Sequence, residues 1–150
     1  MRALRITDLL QAQGILLGAA PADKAAAVEL LVSLQSAQGN LSNPAQFRQA
    51  LMEREARSST AIGSGIAVPH ARSAAVLRPG LSAITAPGGV DWGAPDGSPS
   101  RLIFLIAAPE GEDGLHLELL SRLMRLLMRE EFRAQLMAAA TPAAFRAAID

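Results

Sequence analysis

Leu102-Ile103-Phe104-Leu105-Ile106-Ala107 is the stretch on which the fold turns. Six consecutive apolar residues with β-branched and aromatic members, ended by Pro109, are the pattern of a strand buried on both faces. Such a strand needs a layer on each side, and the chain offers two sets of helices to supply them. Upstream, Asp23 is placed to cap a helix whose apolar stripe is Ala26, Val28, Leu30, Leu31 and Leu34, ending by Gly39. Asn43 and Pro44 open a second, with Phe47, Ala50 and Leu51 at helical spacing, fading near Arg54 to Arg57. Downstream, Leu115, Leu119, Leu120, Leu123, Leu126 and Leu127 share one broad helical face. Glu130 to Ala139 reads as another helix, and Thr141-Pro142 begins a third.

The middle of the chain has a different character. Ser58-Ser59-Thr60 and spaced glycines bracket Ile62, Ile66 and Val68, which reads as extended chain with tight turns. Leu81 to Thr85 is expected as a strand, Val90 to Trp92 as a shorter one, and Asp96-Gly97 as a turn. Near the start, a short helical turn after Thr7 and a short strand over Gly14 to Leu17 are expected, and Pro109 to Gly114 reads as a loop. Helices, then strands, then helices give an α/β fold: one domain over residues 1–150, a mixed β-sheet flanked by helices on both faces.

Composition narrows the function. Fourteen basic residues balance fourteen acidic ones, so no basic stripe is available to replace counterions along nucleic acid. Cysteine is absent, which excludes disulfides, thiolate nucleophiles and thiolate metal sites, and fits a cytoplasmic protein. The N-terminal apolar stretch is broken by Thr7, Asp8 and Gln11 and makes a poor signal peptide. The longest apolar run is far short of the ~20 residues of a membrane span. Aromatics are only 3% of the chain, so the core must be built mainly from Leu, Ile, Val and Met.

Reactive groups are few. His70 follows Pro69, whose fixed φ keeps Val68 extended and holds the ring at a strand end. A neutral imidazole has one nitrogen free to attack phosphorus, provided the other is held by an acceptor that sets the tautomer. Gly63 and Gly65 would let neighbouring backbone approach whatever the ring presents. A surface or capping histidine is the alternative on spacing alone. His116 stands in the first turn of the Leu-rich helix, after Glu112, Asp113 and Gly114. An anion there would meet unpaired N–H groups and the helix dipole, and His116 would donate to it; a half-packed histidine is the alternative. Glu53-Arg54-Glu55-Ala56-Arg57 reads as a solvated helix end, unless one guanidinium turns inward to match phosphate oxygens. The carboxylates Glu112, Asp113 and Glu118 have no ligand spacing with His70, so no metal is expected. Gly63-Ser64-Gly65 lacks the nucleophile-elbow spacing, and no phosphate-binding P-loop motif exists.

Several segments together resemble one family. Glu53-Arg54-Glu55, followed by Ser59-Thr60-Ala61-Ile62-Gly63-Ser64-Gly65-Ile66-Ala67-Val68-Pro69-His70, is similar to the active-site signature of fructose/mannitol-type enzyme IIA. That family includes the nitrogen-regulatory enzyme IIA. Gly89 to Gly97, Arg101 to Pro109 and His116 to Ser121 follow in the family's order, so the resemblance spans essentially the whole chain. Ala71 and Ala61 stand where glycine is frequent, and Arg57 where an apolar residue is common.

The resemblance implies a phosphocarrier of the phosphoenolpyruvate-dependent sugar phosphotransferase system. His70 would take a phosphoryl group from the histidine phosphocarrier protein and pass it to a cysteine of an enzyme IIB domain of a sugar permease. His116 would stabilise that group, Arg54 would support the phosphate site, and Arg57 is open to sharing its role. No cofactor and no nucleic acid enter, and the membrane is met only through partners. Asp91 to Gly97 looks most like the fructose branch. A nitrogen-regulatory protein is the alternative, and a piece of a larger carrier a third reading.

Overall fold

The computed structural model describes residues 5–111 and 115–149, with the backbone alone at 115–117 and 119. Its centre is β6 (Ser100–Pro109), the strand that the apolar run implied. Successive side chains of β6 point to opposite faces. Ile103, Leu105 and Ala107 enter one apolar cluster with Val28, Leu31, Phe47 and Leu51. Leu102, Phe104 and Ile106 enter the other with Leu123, Leu127, Phe132, Leu136, Phe145 and Ile149. Both faces of the strand are therefore dry. Each fully buried Leu, Ile or Phe contributes about 1.5–3 kcal/mol.

The first cluster lies under α1 (Lys24–Ala37) and α2 (Pro44–Arg57). Asp23 Oδ1 caps α1 by accepting from Ala26 N–H at 2.8 Å, and Asn43 Oδ1 caps α2 from Gln46 N–H at 3.1 Å. The second lies under α3 (Leu115–Leu127), α4 (Glu130–Ala138) and α5 (Pro142–Ile149), with Thr141 Oγ1 accepting from Ala144 N–H. Two 3-10 turns, Ile6–Leu9 and Ala12–Gly14, precede β1 (Ile15–Leu16). Glu110-Gly111 is a turn after β6; the rest of the loop expected there lies outside the described residues.

The sheet is mixed. β5 (Gly80–Val90) pairs antiparallel with β6 and carries β1 parallel on its far side. On the other side of β6 lie β3 (Ile66–Ala67) and then β4 (His70–Ser73), both parallel to it, while β2 (Ala61–Gly63) pairs antiparallel with β3. Two features differ from the sequence reading. The strands expected at Leu81 to Thr85 and Val90 to Trp92 are one strand ending at Val90, whose register slips between Thr85 and Val90. Pro87 has no N–H to give, and Gly89 takes φ 80°, so the slip is absorbed without ending the strand. And β4, which carries His70, has no strand signature in the sequence.

Candidate functional site

His70 is placed by the join between two strands. β3 and β4 run in line along β6, and Pro69 sits between them with its carbonyl accepting from Ile106 N–H at 2.9 Å. From there β4 alternates: Ala71 and Ser73 are buried, His70 and Arg72 exposed. Among the described residues β4 pairs only with β6, so the exposed side of β4 opens at a sheet edge. His70 Nδ1 lies 2.9 Å from the Val68 carbonyl oxygen. A carbonyl only accepts, so in the neutral ring Nδ1 carries the proton and Nε2 presents its lone pair.

The last turns of α2 form the facing wall. Ala50, Glu53, Arg54 and Arg57 line, with His70, Ala71 and Arg72, a cleft of about 320 Å³. Arg54 Nη1 donates to the Ser58 carbonyl at 3.0 Å, just beyond the helix end. A helix C-terminus is the negative end of the dipole and on its own repels an anion. Arg54 and Arg57 in that last turn reverse the sign, and Arg72 adds a third guanidinium from β4. Glu53 is the one carboxylate among the lining residues. A nucleophilic nitrogen beside guanidinium groups that match oxyanion oxygens is suited to handling a phosphoryl group.

The residues singled out from the sequence fare differently. His70, Arg54 and Arg57 share the cleft. His116 belongs to the first turn of α3, but its side chain lies outside the described residues. Arg72 also lines the cleft; its signal in the sequence is the spacing i, i+2 from His70, readable only once β4 is known to be a strand. Among the described residues no group of three or more His, Asp or Glu is arranged to hold a metal ion, and no helix is long and apolar enough to cross a membrane.

Gly63 and Gly65 shape a turn. They flank Ser64 in the β2–β3 turn, where the three residues take φ of 87°, 57° and 79°. A Cβ on Gly63 would come within 2.9 Å of Asp96 Oδ2. Asp96 accepts from Ser64 N–H at 3.0 Å, and from the Ser98 hydroxyl and N–H at 2.7 and 3.0 Å. These bonds, the Ser98 hydroxyl foremost, hold its carboxyl at about 2 instead of 3.8. The folded pKa is lowered, so the stability that Asp96 contributes is complete above 3.8 and is lost as pH falls through about 2. Asp96→Asn should therefore melt below wild type at neutral pH, with the gap closing on acidification. Thermal melts of both proteins across that range check it; a gap independent of pH would contradict this assignment.

With this geometry the class can be stated. The chain belongs to the family described as phosphoenolpyruvate-dependent sugar phosphotransferase system, EIIA 2, whose model matches residues 8–150. It is 42% identical over 136 residues to the PTS system fructose-specific EIIABC component of Bacillus subtilis, covering 91% of this chain and 21% of that protein. To the fructose-specific EIIA component of Haloferax volcanii it is 39% identical over 121 residues, covering 79% and 77%. The chain thus spans about a fifth of the Bacillus relative. Among solved structures it is similar to the nitrogen regulatory protein IIA-Ntr of Neisseria meningitidis, with TM-score 0.89, 32% identity and 97% and 99% coverage. It also matches the Escherichia coli complex of enzyme IIA and phosphorylated enzyme IIB for mannitol, with TM-score 0.79, 26% identity and 93% and 96% coverage.

Proposed function

We propose that this chain is a cytoplasmic phosphohistidine carrier, one domain over residues 1–150, that accepts a phosphoryl group on His70 from the histidine phosphocarrier protein and passes it to a fructose-type enzyme IIB domain. The observation that carries this reading is the Nδ1 bond of His70 to the Val68 carbonyl, which leaves Nε2 open on an arginine-lined cleft. Nε2 attacks phosphorus in line. The new N–P bond forms as the donor's P–N bond breaks, and the donor imidazole keeps that electron pair. Positive charge develops on the His70 ring, so the Nδ1–H···O bond to Val68 strengthens in the transition state. Arg54 supports the transferring group, with Arg57 and Arg72 beside it and His116 in the stabilising role that the family motif assigns. In the second transfer a cysteine thiolate of enzyme IIB attacks phosphorus, the P–N bond breaks with its electron pair returning to Nε2, and His70 leaves as neutral imidazole. No cofactor, metal or nucleotide takes part.

The fructose assignment rests on the Bacillus and Haloferax relatives, and the enzyme IIB partner on the mannitol complex. One observation favours a second reading: the nitrogen regulatory structure matches this chain with TM-score 0.89. In that reading phosphorylation of His70 switches binding to other proteins. Mixing the phosphorylated chain with a fructose-type enzyme IIB domain separates the two. Rapid loss of the label to the enzyme IIB cysteine is expected for the carrier. A stable label, with a protein partner captured in one phosphorylation state only, would favour the regulator.

A further inference from the structure

Glu55 is a charged residue with almost no exposure, 6% in all, on a helix end that otherwise faces water. Its carboxylate gathers four donor groups from three parts of the chain. Lys24 Nζ from the first turn of α1 lies 2.7 Å from Oε1, and the same ammonium sits 5.0 Å above the Trp92 ring. Trp92 Nε1 donates to Oε1 at 3.1 Å. Thr60 gives both its N–H, at 3.3 Å to Oε1, and its hydroxyl, to Oε2. A carboxylate that replaces lost hydration with this many donors is fixed in place.

Thr60 is where this cluster reaches the histidine. Its carbonyl accepts from Val68 N–H at 3.1 Å, and the Val68 carbonyl in turn accepts from His70 Nδ1 at 2.9 Å. The path from Glu55 to the ring is therefore three hydrogen bonds joined by the backbones of Thr60 and Val68. Val68 is 5% exposed and Thr60 7%, so water has little access to replace either link. Glu55 also follows Arg54 directly, so the same anchoring sets the last turn of α2 that forms the other wall of the cleft.

From this geometry we infer that Glu55 is a positioning residue for His70: through Thr60 and Val68 it holds the carbonyl that keeps the proton on Nδ1 and Nε2 open. The inference rests on the proposed role of His70. Glu55 touches neither the ring nor the transferring group. Its anchoring works by fixing where the Val68 oxygen stands; loss of the outer partner of a metal-bound imidazole costs roughly 10- to 100-fold, and the low end of that range is expected for this metal-free ring.

The test compares wild type, Glu55→Gln and Thr60→Val. The long-range nitrogen–proton NMR spectrum of the His70 ring reads the tautomer directly, and the rate of phosphoryl acceptance from the phosphorylated phosphocarrier protein reads reactivity. In wild type the neutral ring should carry its proton on Nδ1. In Glu55→Gln a population with the proton on Nε2 should appear and acceptance should slow by roughly tenfold. Thr60→Val, which keeps the carboxylate and loses one donor, should move both readouts the same way by less, and it decides the matter if Glu55→Gln does not fold. An unchanged tautomer, with acceptance within about twofold of wild type in the folded variants, would overturn the inference. If wild type itself takes no phosphoryl group but the tautomer still shifts, the carrier reading fails and the positioning role stands.

Discussion

His70→Gln is expected to lower phosphoryl acceptance by a factor on the order of 10⁶, the loss seen when a nucleophile is removed from a site that keeps its other parts. The side chain is exposed at the start of β4 and, among the described residues, makes one bond, to the Val68 carbonyl. Its removal should therefore cost stability only about 0.5–1.5 kcal/mol, the worth of a single hydrogen bond. Glutamine fills similar space and still offers a donor to that carbonyl, but no nitrogen lone pair to phosphorus. Arg54, Arg57 and Arg72 stay in place, so a phosphoryl donor still meets the cleft but finds no acceptor. Stopped-time labelling with the phosphorylated phosphocarrier protein, beside a thermal melt, checks both halves. A variant that still takes up label at more than about a hundredth of the wild-type rate would move the acceptor elsewhere.

The largest effect on stability is expected at Phe104. Its ring is fully buried on the α3–α5 side of β6 and lies 5.9 Å, centroid to centroid, from Phe145. Phe104→Ala removes that contact and leaves a cavity between a strand and three helices, neither of which can close on it without breaking other packing. The cost should be about 3–5 kcal/mol, or a fall in melting temperature of roughly 10 °C for a chain of this size. Denaturant unfolding reads it as a lower midpoint with an unchanged slope. A loss below about 1 kcal/mol would mean that the second apolar cluster is loosely packed around β6.

The central strand and the helices were legible because their burial is periodic. Every residue from Leu102 to Ala107 is apolar because each faces one of two helical layers, and Asp23, Asn43 and Thr141 mark helix starts by chemistry local to them. β4 was not legible. Its inward residues are Ala71 and Ser73, too small and too mixed to make a hydrophobic alternation, and its outward ones are His70 and Arg72. The break read between Thr85 and Val90 was a real irregularity, but pairing with β6 carries the strand across it. Long-range partners account for the rest. Gly63 is hemmed in by Asp96, more than thirty residues away, and Glu55 looks like one more solvated charge until Lys24, Thr60 and Trp92 converge on it. Arg54 was singled out by its place in a family motif, since its helix end alone reads as surface.

The same long-range character explains why the site sits where it does. Pro69 interrupts the strand pair at one point, the Val68 carbonyl is left beside the ring, and the last turn of α2 arrives from sixteen residues upstream to close the cleft on Arg54. None of these is a property of the His70 neighbourhood alone. Together they make an exposed histidine with one nitrogen engaged and the other available.

The most direct test of the central claim is the intact mass of the wild-type chain after incubation with phosphoenolpyruvate, enzyme I and the histidine phosphocarrier protein, followed by brief acid treatment. The account predicts one phosphoryl group per chain, lost in acid as a P–N bond should be, and mapped to His70. No added mass, an acid-stable label, or a label on any other residue would contradict it.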